Sequence, residues 1–207
     1  MLKLNKSYRS DYHGEDIIVE RRLEGKQWFT TTETVDNKVI NSQISNTAVI
    51  IGNGINRLEF DLNNFKKPSG LLGARTVQTY GCNALYRDFT PDFLVAVGTQ
   101  DTIQEIANSN YTSDNIVYSS AIHLLEYPGK FYLIPYDPFA DAGTTAAYIA
   151  AFDGHKKIYL IGFDGHQPGF NNNAYADTVG YDAKDFTIDD IKWMQNRKQL
   201  FDVYDDV

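Results

Sequence analysis

The chain has 207 residues, a net charge of −8 and a hydrophobic fraction of 43%. That length fits one domain with or without an appendage, and the apolar content excludes a disordered chain. The acidic balance excludes a nucleic acid held by bulk electrostatics, because no more than two Lys or Arg residues are adjacent. The single cysteine, Cys82, excludes an internal disulfide. With no apolar run at the amino terminus and none long enough to cross a bilayer, the sequence predicts a cytoplasmic protein without a membrane span.

Residues 1–46 are polar and differ from the rest of the chain. Two short β-like runs, residues 16–20 and 27–31, flank Gly25 and predict a hairpin. We interpret this segment as an edge ribbon that packs on the main domain, with a functional appendage as the alternative. A ribbon of this kind can mediate self-association, so the sequence leaves open whether the protein forms a homo-oligomer.

Residues 47–207 show the pattern of an α/β domain that binds a nucleotide. Strands are predicted at residues 47–51, 75–80, 91–97, 115–118, 130–134 and 158–161, and the wholly apolar run 48–51 is typical of a buried parallel strand. Helical patterns cover residues 99–108, 144–152 and 188–204, and a polar loop spans 165–185. The spacing of the helix 144–152 and the strand that follows it is that of a parallel crossover, so the sheet is predicted to be mostly parallel.

Four predicted strands end in small or polar residues. The endings are Gly52-Asn53-Gly54, Gly81-Cys82-Asn83, Gly98-Thr99 and Gly162-Phe163-Asp164. Because ligands of an open parallel sheet bind beyond the carboxyl ends of its strands, these residues predict a nucleotide site. Glycine lets the backbone approach a phosphate, and Asn53 and Asn83 offer uncharged donors and acceptors to a phosphate or a ribose. The motif is not a full dinucleotide fingerprint, since Arg57 stands where a third glycine is expected.

Several other side chains allow two interpretations each. Asp164 either binds a ribose, a base or a metal, or caps the next turn. His166 is a candidate acid or base, or a solvated loop histidine. Cys82 lacks a positioned base and is interpreted as structural. His155 lies beyond a helix end, where the interaction of a histidine with the helix carboxyl terminus is a sufficient explanation. The carboxylates that follow lack the spacing of a calcium loop, so we expect a solvated acidic segment and no metal site. They are Asp177, Asp182, Asp185, Asp189 and Asp190.

Three motifs, in order, resemble one family. Val49-Ile-Ile-Gly-Asn-Gly54 is similar to an amino-terminal nucleotide loop, and Cys82-Asn83 is similar to a Cys-Asn pair after the second strand. The third motif combines a small-residue helix ending in Gly154, a strand ending in Gly162-Phe-Asp164, and the loop Asn173-Ala-Tyr-Ala-Asp-Thr178. Over residues 47–178 the chain resembles the bacterial lipo-oligosaccharide sialyltransferases, which use CMP-sialic acid.

The resemblance implies a Rossmann-like sheet with helices on both faces and a cytidine nucleotide as the ligand. The implied activity is glycosyl transfer from a CMP-activated sugar to an unknown glycan acceptor, with the nucleotide sugar as a substrate and no cofactor. Tyr175 corresponds to a tyrosine near the leaving phosphate, and His166 lies on the cytidine side. The residues implied to bind the nucleotide are Gly52, Asn53, Gly54, Asn83, Asp164 and Gly165.

The catalytic groups are where the sequence departs from the family. Glycosyl transfer with inversion needs a base for the acceptor proton and groups that stabilise the departing phosphate. The family's histidine base follows the Tyr-Ala-x-Asp-Thr loop, whereas this chain has no histidine after His166 and ends at Val207, before the family's carboxyl-terminal part. His166, Asp177 or Asp182 is then the candidate base, and Tyr175 is the candidate phosphate contact. Two alternatives stay open: an inactive nucleotide-binding module of the same fold, and a pterin diphosphokinase-like enzyme.

Overall fold

A computed structural model describes residues 2–3, 14–24, 27–37, 47–66, 77–135, 137–165, 172–182 and 190–203. The strands are β1 (Leu2–Lys3), β2 (Gly14–Glu24), β3 (Gln27–Asn37), β4 (Thr47–Ile51), β5 (Gln78–Cys82), β6 (Phe93–Ala96), β7 (Ile116–Ser119), β8 (Tyr132–Leu133) and β9 (Lys157–Ile161). The helices are α1 (Gln100–Asn108), α2 (Tyr111–Asp114), α3 (Ala121–Glu126), α4 (Ala142–Phe152) and α5 (Asp190–Val203). Short 3₁₀ segments cover Ile55–Glu59, Leu62–Lys66 and Asn83–Arg87.

The amino-terminal strands form a small antiparallel sheet of their own. Its order is β1-β2-β3, and β2 pairs with β3 from Gly14 opposite Asn37 to Glu24 opposite Gln27. The predicted hairpin is therefore confirmed, with strands of 11 residues each that extend beyond the two predicted runs. The division of the chain between residues 46 and 47 stays a prediction.

The remaining six strands form one sheet in which every pairing is parallel. Its order is β8-β7-β6-β5-β4-β9, so the predicted α/β fold with a mostly parallel sheet is confirmed. The second predicted strand is shifted toward the carboxyl end, to Gln78–Cys82, and residues 75 and 76 lie outside the described ranges. The short helices α2 and α3 were not predicted, because four and six residues are too few to show a helical period.

Both faces of this sheet carry helices and a hydrophobic core. Successive residues of a strand point to opposite faces, so β4 contributes to both cores. On one face Val49 belongs to a cluster that includes Ile103 of α1 and residues of α3. On the other face Ile50 clusters with Ala146 of α4 and Leu200 of α5. The helices on both faces that the family resemblance implies are therefore present.

The strand order reverses next to β4. From β4 to β8 each strand is added on the same side, and the chain then returns through α4 to place β9 on the other side of β4. The crevice beyond the carboxyl ends of two such strands is the usual ligand position in open α/β sheets. The loops after β4 and β9 are Gly52-Asn53-Gly54 and Gly162-Phe163-Asp164, so two of the four predicted strand endings meet at this switch point.

Candidate functional site

A cavity of about 490 Å³ lies at the switch point. It is bounded by the ends of β4, β5 and β9, by the amino terminus of α4, and by side chains of α5. Its volume falls within the roughly 300–1,000 Å³ typical of small-molecule sites. Five of the residues predicted to bind the nucleotide line it: Gly52, Asn53, Gly54, Asn83 and Asp164.

Gly52 and Gly54 allow the loops after β4 and β9 to touch. The Gly52 amide donates to the Ile161 carbonyl oxygen at 2.8 Å, and the Gly54 amide donates to the Gly162 carbonyl oxygen at 2.9 Å. A Cβ atom on Gly52 would lie 2.5 Å from the Gly162 carbonyl oxygen, and one on Gly54 would lie 2.5 Å from Asp164 Oδ2. From the sequence, these glycines were explained by the approach of a phosphate. The structure shows that contact between the two loops already requires them.

Asn53 lies in the cavity wall and is 9% exposed. Its Nδ2 donates to the Cys82 carbonyl oxygen at 3.1 Å and to the Tyr181 hydroxyl at 3.3 Å. Because the Cys82 carbonyl can only accept, these bonds fix the orientation of the carboxamide. Oδ1 is then buried and has no hydrogen-bond partner among the described residues. A buried acceptor of this kind indicates a position where a ligand or an ordered water donates.

Asn83 offers the cavity a hydrogen-bond donor, whereas Asn53 offers an acceptor. It follows β5 with φ of +46°, in the left-handed region that asparagine adopts more readily than most residues. Its Oδ1 accepts a hydrogen bond from the Val97 amide at 3.0 Å. With this oxygen engaged, Nδ2 is the atom of Asn83 that can donate to a ligand. The two asparagines of the cavity thus offer one acceptor and one donor.

Asp164 contacts a distant segment, whereas the sequence offered it as a cap for the turn that directly follows it. Its Oδ2 accepts from the Asn56 amide at 2.7 Å, in the first turn of the 3₁₀ segment that follows Gly54. Asp164 also lines the cavity, so this bond and ligand binding are compatible. Gly165 is exposed and does not line the cavity; its carbonyl oxygen accepts from Asn172 Nδ2 at 3.1 Å. His166 lies outside the described residues.

Tyr175 is not among the residues that line the cavity. Its side chain is 7% exposed, and its hydroxyl donates to Asp88 Oδ1 at 2.6 Å. The guanidinium carbons of Arg57 and Arg87 lie 4.9 Å and 5.4 Å from the centre of its ring, and Arg57 Nη2 pairs with Asp88 Oδ2 at 2.8 Å. The hydroxyl would have to leave Asp88 to reach a phosphate. The role of Tyr175 at the leaving phosphate therefore stays a prediction.

Tyr175→Phe is expected to lower the free energy of unfolding at pH 7 by about 1 kcal/mol, because the bond to Asp88 is lost. Burial raises the pKa of Tyr175 above its ordinary value near 10, and the bond to Asp88 adds to the shift. The folded state therefore holds this proton more tightly than the unfolded state, and its contribution to stability falls as pH rises above about 10. Urea unfolding at pH 7 and pH 10.5 measures both effects, and the Phe variant should lose less stability between them. Tyr159→Phe, at an exposed position, is the control; equal pH dependence in wild type and Tyr175→Phe would contradict the prediction.

The amino terminus of α4 is a part of the site that the sequence analysis missed. Asp141 caps this helix, with Oδ1 accepting from the Thr144 amide at 2.9 Å and Oδ2 from Thr144 Oγ1 at 2.6 Å. Ala142 and Gly143 line the cavity, and their amides have no acceptor among the described residues, as expected for the first turn of a helix. A signal was present, because Asp141 three positions before Thr144 is an N-cap pattern. The helix was predicted from residue 144 and begins two residues earlier.

Three further side chains reach the cavity, one from the turn before α4 and two from segments farther along the chain. Phe139 lies at its rim and is 79% exposed. Tyr181 is buried in its wall, where its hydroxyl accepts from Asn53 Nδ2 and from the Ala84 amide at 3.5 Å. Lys192 of α5 is the only cation among the described residues that line it. No local pattern in the sequence indicates that these three residues meet, since only tertiary packing brings them together.

Two residues outside this set have structural roles. Burial raises the pKa of the Cys82 thiol, and the Asp141 carboxylate adds to the shift, which fits the predicted structural role. His155 is fully buried and has a defined partner that the sequence did not reveal. Its Nε2 lies 3.0 Å from the Tyr80 hydroxyl, which donates to Asp153 Oδ2 at 2.5 Å. His155 therefore ties the end of α4 to β5.

Within the described ranges, no group of three or more His, Cys, Asp and Glu side chains could hold a metal ion. None of the helices in the described part of the chain is both long enough and apolar enough to cross a membrane. Comparison with protein-family models, with curated proteins and with solved structures found no match. The function must therefore be inferred from the cavity and its residues.

Proposed function

We propose that the protein is a sialyltransferase-like glycosyltransferase whose switch-point cavity binds a CMP-activated sugar. The observation that carries this proposal is the meeting of three separate motifs in one cavity. The Gly-Asn-Gly loop after β4, the Cys-Asn pair at the end of β5 and the Gly-x-Asp ending of β9 lie far apart in the chain and line the same cavity. This is the arrangement that the family resemblance implies for a cytidine nucleotide.

In this proposal the phosphate lies at the amino terminus of α4. The free amides of Ala142 and Gly143 supply two donors there, and the partial positive charge of a helix start favours an anion. Lys192 adds the cavity's one described positive charge. The sequence contains no cluster of basic residues, so backbone amides and a single lysine are suitable groups to bind the phosphate.

The charge of the cavity favours a monophosphate over a diphosphate. Among the described lining residues, the carboxylates of Asp141 and Asp164 outnumber the ammonium group of Lys192. A nucleoside diphosphate sugar would place two negative charges on its phosphates at this wall, whereas the phosphodiester of CMP-sialic acid places one there and the donor's second charge lies on the sugar carboxylate. Because like charges within a few ångströms repel strongly in a cavity, the smaller charge is the better match.

The two asparagines fit the remaining polar groups of a nucleotide. The buried Oδ1 of Asn53 needs a donor, and a ribose hydroxyl provides one. An unprotonated phosphate oxygen has no proton to donate to the Asn53 Oδ1, so we assign Asn53 to the ribose. Asn83 Nδ2 is a donor and suits a phosphate or ring oxygen. From the sequence both residues were open between phosphate and ribose, and this difference in polarity supports Asn53 at the ribose and Asn83 at the phosphate.

The transfer step requires a base and support for the leaving group. The acceptor hydroxyl oxygen bonds to the anomeric carbon, the bond from that carbon to the phosphate oxygen breaks, and CMP leaves with the electron pair. His166 is the candidate that takes the acceptor proton, with Asp177 or Asp182 as the alternatives. The α4 amides and Lys192 stabilise the developing phosphate charge. Tyr181, whose hydroxyl lies in the cavity wall, joins Tyr175 as a candidate phosphate contact.

A thermal-shift screen with CMP, CDP, UDP, ADP and NAD tests ligand binding. We expect CMP to raise the melting temperature most, because the proposed site binds a cytidine monophosphate. A ligand at a hundredfold excess over its Kd adds about 2.7 kcal/mol of stability. Asp141→Asn keeps a capping oxygen and removes one negative charge, so it should bind CMP several-fold more tightly with a nearly unchanged helix. The absence of a shift with every cytidine nucleotide would contradict the proposal.

Release of CMP from CMP-sialic acid then separates transfer from binding. We expect release by the wild type and a loss of at least tenfold in His166→Gln. Tyr175→Phe and Tyr181→Phe are a matched pair, because each removes one tyrosine hydroxyl and only Tyr181 lines the cavity. The variant with the larger loss of CMP release identifies the phosphate contact. A protein that binds CMP and releases none from the donor is the inactive nucleotide-binding module.

A further inference from the structure

Phe139 is an exposed aromatic residue that borders the cavity. It is the most exposed of the large hydrophobic side chains in the described ranges, at 79%. Its ring makes no aromatic contact with another described residue and belongs to neither main core. It nevertheless lies at the rim of the cavity, three positions before the first residue of α4. A largely exposed aromatic side chain that lies outside the cores and borders a ligand site is a candidate for ligand contact.

The backbone at Phe139 is held in an uncommon conformation. Its φ is +52°, in the left-handed region that disfavours bulky side chains. The Phe139 amide donates to Asp137 Oδ1 at 2.8 Å, and the intervening residue is Pro138, whose ring limits its own φ. Glycine or asparagine would adopt this turn more easily than phenylalanine. The turn therefore fixes an aromatic ring at the cavity rim against the local conformational preference.

We propose that Phe139 is the stacking platform for the base of the bound nucleotide. Every nucleobase has an aromatic face, and stacking on an aromatic side chain is a common and sequence-tolerant way to hold one. The backbone from Phe139 to Ala142 spans at most about 10 Å, so a base on Phe139 and a phosphate at the α4 amides lie within the reach of one nucleotide. This inference rests on the proposed function and adds the position and orientation of the base. Stacking selects for a base without selecting cytosine over the other bases.

Calorimetry on the full chain tests the inference with CMP and ribose 5-phosphate as paired ligands. Phe139→Ala is expected to weaken CMP binding by about 5- to 150-fold and to leave ribose 5-phosphate binding unchanged, because only CMP has a base. Phe139→Trp should retain CMP binding, and the fluorescence added by its indole should be quenched by the ligand. Ile122→Ala, at an exposed position on α3, is the control and should match the wild type.

The outcomes separate this inference from the function on which it rests. If the wild type binds CMP and Phe139→Ala binds it equally well, the stacking role is wrong and the proposed function stands. If Phe139→Ala weakens CMP and ribose 5-phosphate by the same factor, the residue acts on the loop and not on the base, which also overturns the inference. If the wild type binds neither ligand, the proposed function itself fails.

Discussion

Gly52→Ala is expected to lower the free energy of unfolding by about 3 kcal/mol or more. The added Cβ would lie 2.5 Å from the carbonyl oxygen of Gly162, which is backbone and cannot rotate away as a side chain can. Relief of this clash would separate the ends of β4 and β9, which are joined by the hydrogen bond from the Gly52 amide to Ile161. Urea unfolding measures the loss, and ligand binding should fall with it because these strand ends form the cavity.

The control for this substitution is Gly165→Ala. Gly165 is exposed, has no atom within 4 Å of an added Cβ, and follows Asp164 directly. Its replacement should change the unfolding free energy by no more than about 0.5 kcal/mol. A Gly52→Ala protein as stable as this control would show that the loops can separate at little cost, and the close contact would then not be what requires glycine.

Asn53→Asp is the second substitution with a large expected effect. It keeps the shape of the side chain and replaces the Nδ2 donor by an oxygen that faces the Cys82 carbonyl oxygen. At neutral pH this leaves a carboxylate buried without a cation, and the expected loss is roughly 3–5 kcal/mol. Burial raises the pKa of the new carboxyl in the folded state, so the folded state binds its proton more tightly than the unfolded state. Stability should therefore recover as the pH is lowered from 7 toward about 4.

Asn83→Asp is the matched control for Asn53→Asp. At Asn83 the engaged atom is already the oxygen, which accepts from the Val97 amide, and an aspartate oxygen can take its place. We expect a change of no more than about 1 kcal/mol, although both variants add a negative charge to the cavity and should weaken CMP binding. Urea titrations at pH 7 and pH 4.5 compare the two. Similar stability of both variants at pH 7 would contradict the assigned orientation of the Asn53 carboxamide.

The fold was largely predictable because its signals are local. Several strands of the parallel sheet are short apolar runs followed closely by glycine, so β4, β6 and β9 could be recognised without their partners. The strand order carries no such signal. It depends on the pairing of β4 with β9, which no local pattern encodes. The switch point, and with it the position of the cavity, followed only from the structure.

The candidate site was predicted in part for a similar reason. The residues after β4, β5 and β9 were identified because strand ends are visible in the sequence. Asp141 was visible as a cap but was not connected with the site. Tyr181 and Lys192 have no such signal, since each reaches the cavity from a segment distant in the chain. Tyr175 was assigned by resemblance alone, and its engagement with Asp88, far from it in sequence, could not be foreseen.

The pairing of β4 with β9 also has a consequence for the order of assembly. Strands β4 to β8 lie side by side in chain order, whereas β9 pairs with β4, from which four other strands separate it in the sequence. Closing so long a loop is entropically costly, and contacts of this kind tend to form late in folding. The Gly52 and Gly162 loops meet only at that step. A ligand that touches both loops binds only the completed sheet, so it holds the last strand in place and slows its release.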